Sequence, residues 1–115
     1  MSRVDGRAHQ ISDQQFAAMV QTAIDGIPEE FRRELDKVPV VISDRGEEHH
    51  AYGLYSGDGV ARDDFPDRIL IFRDTLIRDF GHDPRLLADQ VERVVRHELG
   101  HHFGFDEKGV RNLGL

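Results

Sequence analysis

The longest run of helical periodicity in this chain, from Pro84 to about Phe103, does most to limit what the rest can fold into. On a wheel of about 100° per residue with His97 at zero, Leu87, Val91, Val94 and Val95 fall between roughly 60° and 160°. That stripe is the expected buried face. Arg85, Asp89, Glu92, Arg93 and Arg96 fall on the far side and are expected to face water. Pro84 opens the run and Gly104 stands where a C-cap belongs. A helix of this kind needs an apolar surface to lie on, and the preceding residues supply the pieces of one.

Ser12 or Asp13 is a competent N-cap, and Gln15 completes a capping box on Ser12. Phe16, Met19, Val20, Ala23 and Ile24 follow at helical spacing until Gly26. Pro28 suits the first turn of a second short helix carrying Phe31 and Leu35. Strands are expected at Val38–Ile42 and at Arg68–Phe72, both rich in β-branched residues. Between them, residues 43–66 are the least regular part, with a short strand or turn expected at Gly53–Gly57. A short helix is expected from Thr75 to Phe80, stopped by Gly81, and one last helical turn within the tail from Asp106 to Leu115. The pattern is that of one α+β domain spanning residues 1–115, with 1–11 a flexible lead-in.

Composition narrows the class. A chain of 115 residues with 38% hydrophobic and 32% charged residues can bury one modest core and stay water-soluble. The net charge of −7 argues against nucleic acid or an anionic membrane as partner. No apolar stretch is long enough to cross a bilayer, and the first twelve residues lack a signal-peptide core, so a cytoplasmic location is expected. Cysteine is absent, so any zinc must be held through nitrogen and oxygen.

Such a set of donors sits late in the long helix, at His97-Glu98-Leu99-Gly100-His101. Histidines at i and i+4 project from one helix face, and both imidazoles can reach one ion. Glu98 falls at about 100° on the wheel, inside the apolar stripe, where a carboxylate is costly unless compensated. A cation facing a cleft would compensate it, and Glu98 could then take a proton from water activated by zinc. His102 lies about 140° from His97, so it is read as a hydrogen-bonded core histidine, not as a ligand of the same ion.

Zinc needs a third protein ligand. Only fourteen residues follow His101, which leaves Asp106, Glu107, His102, Asn112, the C-terminal carboxylate or an upstream histidine. Gly104 allows the chain to turn back after the helix, and the residue three positions on is Glu107. Glu107 is therefore favoured, with Asp106 as the alternative. Metzincin proteases carry a histidine at that position and a methionine turn downstream. Here the methionines are Met1 and Met19, both far upstream, so the metzincin pattern is not met.

With these residues in hand, the chain resembles the minimal zincins, short bacterial proteins described as zinc metallopeptidases. The resemblance runs from about Val38 onward. It is carried by Gly53–Gly57, by Pro66–Phe72 and by Val95–Gly104. In that family the third ligand is usually an aspartate at the position held here by Glu107. The resemblance implies a zincin-like fold, a zinc site and a peptide or protein substrate, without specifying which substrate or what oligomeric state.

Two other readings belong to different classes. One is a metal-dependent ribonuclease, which the negative charge and the presence of Glu98 disfavour. The other is a zinc-stabilised binding module without turnover. His49-His50 after Glu47-Glu48 is read as a solvated loop, and Tyr52 and Tyr55 as packing residues, although either hydroxyl is chemically able to stabilise an oxyanion. The strand at Arg68–Phe72 is first read as a core strand, with an edge for an extended peptide as the second reading.

Overall fold

The computed structural model describes residues 11–56 and 67–103. Helix α1 spans Asp13–Asp25. Helix α2, Glu29–Arg32, runs into a 3-10 turn at Arg33–Asp36. Strand β1 (Val40–Ser43), helix α3 (Gly46–His49) and strand β2 (Gly53–Ser56) follow. The described chain ends with strand β3 (Arg68–Phe72), helix α4 (Arg73–Phe80) and helix α5 (Pro84–His102). This is the expected α+β arrangement.

Local chemistry starts and stops these helices as the residues dictate. The Ser12 side chain accepts from the Gln15 N–H (3.0 Å), and the Gln15 side chain accepts from the Ser12 N–H (2.8 Å), closing the capping box. Asp83 caps α5 by accepting from Arg85 and Leu86, while Pro84 fills the first turn, where a missing N–H leaves nothing unpaired.

Strand order is β1-β3-β2, with β1 parallel and β2 antiparallel to β3. Val40, Ile69 and Tyr55 form one row across the sheet, and Ile42, Ile71 and Gly53 the next on the same face. That face lies on the helices. Ile69 and Ile71 are fully buried together with Phe16 of α1 and Leu87, Val91, Val95 and Leu99 of α5. The intervening row of Val41, Leu70 and Leu54 lies on the other face, where Val41 is 40% exposed.

Four differences from the expected pattern have physical causes. Strand β1 starts at Val40, two residues late, because Pro39 has no N–H to donate; its carbonyl instead accepts from Ile69 (2.9 Å), and Val38 is buried before the ladder begins. The stretch expected as a loop at Glu47–His50 contains α3. Its first N–H groups, from Gly46 and Glu47, are taken by the Asp74 carboxylate at 2.8 and 3.0 Å, and this long-range cap is invisible in the local sequence. Burial pushes the Asp74 carboxyl up, but the backbone N–H groups around it outweigh that and hold it below its ordinary value. Helix α4 begins at Arg73, ahead of Thr75. Lastly, Arg96 does not face water: it is half-buried, and its guanidinium donates to the Gly26 carbonyl at 3.1 Å, tying α5 to the end of α1.

Candidate metal centre and the cleft beside it

The last two turns of α5 present His97 and His101 side by side. Their Nε2 atoms lie 3.2 Å apart, with the ring planes at 78° and the centroids 4.8 Å apart. Two imidazole nitrogens on one tetrahedral zinc, each about 2.0–2.1 Å from it, stand roughly 3.3 Å from each other. The pair therefore has the separation that one shared ion requires. It rests on a rigid base: Val91, Val95 and Leu99 beneath it are fully buried, and the helix end is closed by the Phe103 N–H on the Leu99 and Gly100 carbonyls. Phe103 in turn meets the Phe31 ring edge-on at 5.6 Å.

Among the described residues, no cluster of three or more histidine, aspartate and glutamate side chains converges on one point. The favoured third ligand Glu107, its alternative Asp106 and the turn at Gly104 all lie outside the described residues.

A cleft of about 310 Å³ opens beside the histidines. Gln90, Arg93, Val94, His97 and Glu98 form one wall, all on a single face of α5, and Ala51–Gly53 form the other. Glu98 thus shares the cleft with His97, as the wheel implies. The opposite wall is pinned from three directions. Phe72 N–H donates to the Tyr52 carbonyl (2.9 Å), the buried Thr75 hydroxyl donates to the Ala51 carbonyl (2.7 Å), and the Tyr52 hydroxyl donates to Asp79 (2.6 Å). The Asp79 hydrogen bond raises the Tyr52 phenol above its usual value. Arg78 and Tyr52 together hold the Asp79 carboxyl down at about 2.

At Gly53 the walls almost touch. A β-carbon on this residue would sit 2.4 Å from Val94 Cγ1, 3.1 Å from the Leu70 carbonyl oxygen and 3.3 Å from Glu98 Cγ. Only glycine lets β2 come this close to α5.

His102 belongs to a separate network, as the wheel predicts. Its Nδ1 lies 3.1 Å from the Tyr55 hydroxyl, which donates to Asp67 at 2.7 Å, and its Nε2 lies 3.3 Å from Glu34. The hydrogen bond from His102 is the chief reason the Glu34 carboxyl falls below its ordinary value. This network joins the end of α5 to β2, to the start of β3 and to the 3-10 turn. Glu34 and Asp67 carry no local mark of that role. The hydroxyls of both tyrosines are engaged with carboxylates, consistent with their reading as packing residues. His49 is also structural, stacked on Phe72 with ring centroids 5.3 Å apart.

A short mixed sheet whose antiparallel edge strand walls a cleft, laid on a long helix that offers two histidines one turn apart with a glutamate after the first, defines a zincin-type α+β domain. Comparison with protein families agrees: residues 35–115 match the zincin-like metallopeptidase family, and the chain belongs to it. No curated protein matches the chain. Zinc is the metal that membership implies, and the histidine pair fits it. No helix among the described residues is long and apolar enough to cross a membrane.

Proposed function

We propose that this chain hydrolyses peptide bonds, with His97, His101 and Glu107 as zinc ligands and Glu98 as general base. The observation that carries the reading is the 3.2 Å separation of the His97 and His101 Nε2 atoms, with His97 lining the same cleft as Glu98. When bound, zinc supplies Lewis acidity that polarises a carbonyl and raises the acidity of water. The protein's own part is then positional and proton-transferring. Glu98 accepts a proton from the attacking water as its oxygen bonds to the carbonyl carbon, and returns that proton to the nitrogen as the C–N bond breaks. One peptide and one water yield one carboxylic acid and one amine.

The peptide's backbone is expected to lie along β2. Strand β3 is paired on both sides and offers no edge, and among the described strands only β2 both walls the cleft and lies at the edge of the sheet. A backbone laid on that edge would gain main-chain hydrogen bonds next to His97 and Glu98. A cytoplasmic, water-soluble protein acting on short or unfolded peptides agrees with the charge of −7 and the small volume of this cleft.

The test is Glu98→Gln. The amide keeps the shape of the side chain but not its basicity, so zinc content should match wild type by elemental mass spectrometry. Cleavage of a mixed peptide library should fall by about two to four orders of magnitude. Full activity in the variant would exclude Glu98 as the base.

A further inference from the structure

The cleft beside the histidines contains one charged group that the proposed chemistry leaves unused. Arg93 lies one turn before His97 on the same wall, about 6 Å along the helix axis. Other arginines of this region are committed within the fold. Arg73 binds Asp44, Arg78 makes a two-pronged contact with Asp79 at 2.9 and 3.1 Å, and Arg96 holds the Gly26 carbonyl. Arg93 makes no ion pair with any carboxylate among the described residues, and it is exposed at the cleft. Gln90, Val94, Ala51, Tyr52 and Gly53 supply neutral lining, and the other charged side chain of the cleft is the Glu98 carboxylate, five residues further along α5.

We propose that Arg93 makes this cleft a carboxylate-binding subsite, so that the chain selects peptides with a negative group one or two residues from the bond to be cut. This rests on the peptidase reading of the same site. A planar guanidinium is suited to grip a carboxylate through two parallel N–H bonds, and Gln90, one turn away, can add an amide donor. Spacing is favourable as well. Successive side chains on one face of an extended peptide are about 7 Å apart, close to the axial distance from His97 to Arg93. Tyr52 and Val94 would cover the methylene stem of an acidic side chain. With −7 charges overall, the chain does not attract acidic peptides from a distance, so selection comes from contact with Arg93. The carboxylate can be a glutamate or aspartate side chain, or the free C-terminus of a short peptide.

Binding tests the subsite without depending on turnover. Zinc-loaded full-length Glu98→Gln protein is titrated with fluorescein-labelled alanine-leucine peptides. One pair is amidated at the C-terminus and carries an internal Glu or Gln; the other lacks internal charge and ends in a free or an amidated C-terminus. The expected result is roughly fivefold tighter binding of the acid member in at least one pair. That ratio should fall to about one in the Glu98→Gln, Arg93→Gln double variant and invert towards a lysine peptide with Arg93→Glu. The pair that shows the effect identifies the source of the carboxylate. Equal affinity for acid and amide, an unchanged ratio in the double variant, or no binding of any peptide would overturn the proposal. Wild-type turnover of the same peptides is read separately: selective binding with no cleavage would keep the subsite and defeat the peptidase reading.

Discussion

Gly53 and Glu98 meet across the narrowest point of the cleft, where a β-carbon on the glycine would stand 3.3 Å from Glu98 Cγ and 2.4 Å from Val94 Cγ1. Val94 is β-branched and stiff, so it cannot simply rotate away. Gly53→Ala is expected to lower stability by about 1–3 kcal/mol through overpacking, and to reduce turnover while zinc content is kept. Pairing it with Val94→Ala should recover part of both losses. Urea midpoints beside zinc stoichiometry measure this, and a fully stable, fully active Gly53→Ala would show that the walls are not in contact.

The network at the end of α5 is expected to be structural. Tyr55→Phe removes the hydrogen bond to Asp67, whose side chain is only 13% exposed and whose other carboxylate oxygen finds no partner among the described residues. The expected loss is about 1–2 kcal/mol of stability, seen as a lower denaturant midpoint, with zinc binding unchanged. Zinc lost in step with the hydroxyl would instead place Tyr55 in the metal site.

Acid should weaken the pinning of the cleft wall. The Asp79 carboxyl is held at about 2 in the folded chain, against about 3.9 when unfolded. Its folded value is depressed, so its contribution is present above the unfolded value and is lost as pH falls from about 4 towards 2. Asp79→Asn should flatten the fall of stability with pH in that window. Urea midpoints at several values between pH 5 and pH 2 would reveal it, and parallel curves for wild type and variant would contradict it.

Metal removal should destabilise the fold, because the histidine pair binds an ion only in the native geometry. Free zinc at about a hundred times its Kd corresponds to roughly 2.7 kcal/mol of added stability. A chelator should therefore lower the melting temperature of wild type and leave that of His101→Ala unchanged. Equal sensitivity in the two proteins would mean that the chelator acts elsewhere.

The candidate site was legible where it depended on helical geometry. The His97–His101 pair, the turn of Glu98 towards the same cleft and the separate role of His102 all follow from residue spacing on α5. The cleft itself was not. Arg93, expected among the water-facing residues, is exposed, but the Ala51–Gly53 stretch opposite makes it a lining residue. Gly53 had no meaning until β2 was placed against α5. Glu34 lies 68 residues from His102, and Tyr55 lies 47 residues from it, so no local pattern connects them.

By itself, then, the sequence determined what backbone hydrogen bonding and side-chain periodicity decide within a few residues: the capping box at Ser12, the limits of α5 and β3, the buried stripe, and the adjacency of two histidines and a glutamate. Only the tertiary structure decided which strand lies at the centre of the sheet, which edge walls the cleft, what caps α3 and what faces Arg93. Each of those depends on which distant segments pair. That choice is made by the whole chain when it buries Ile69, Ile71 and the α5 stripe together in one core.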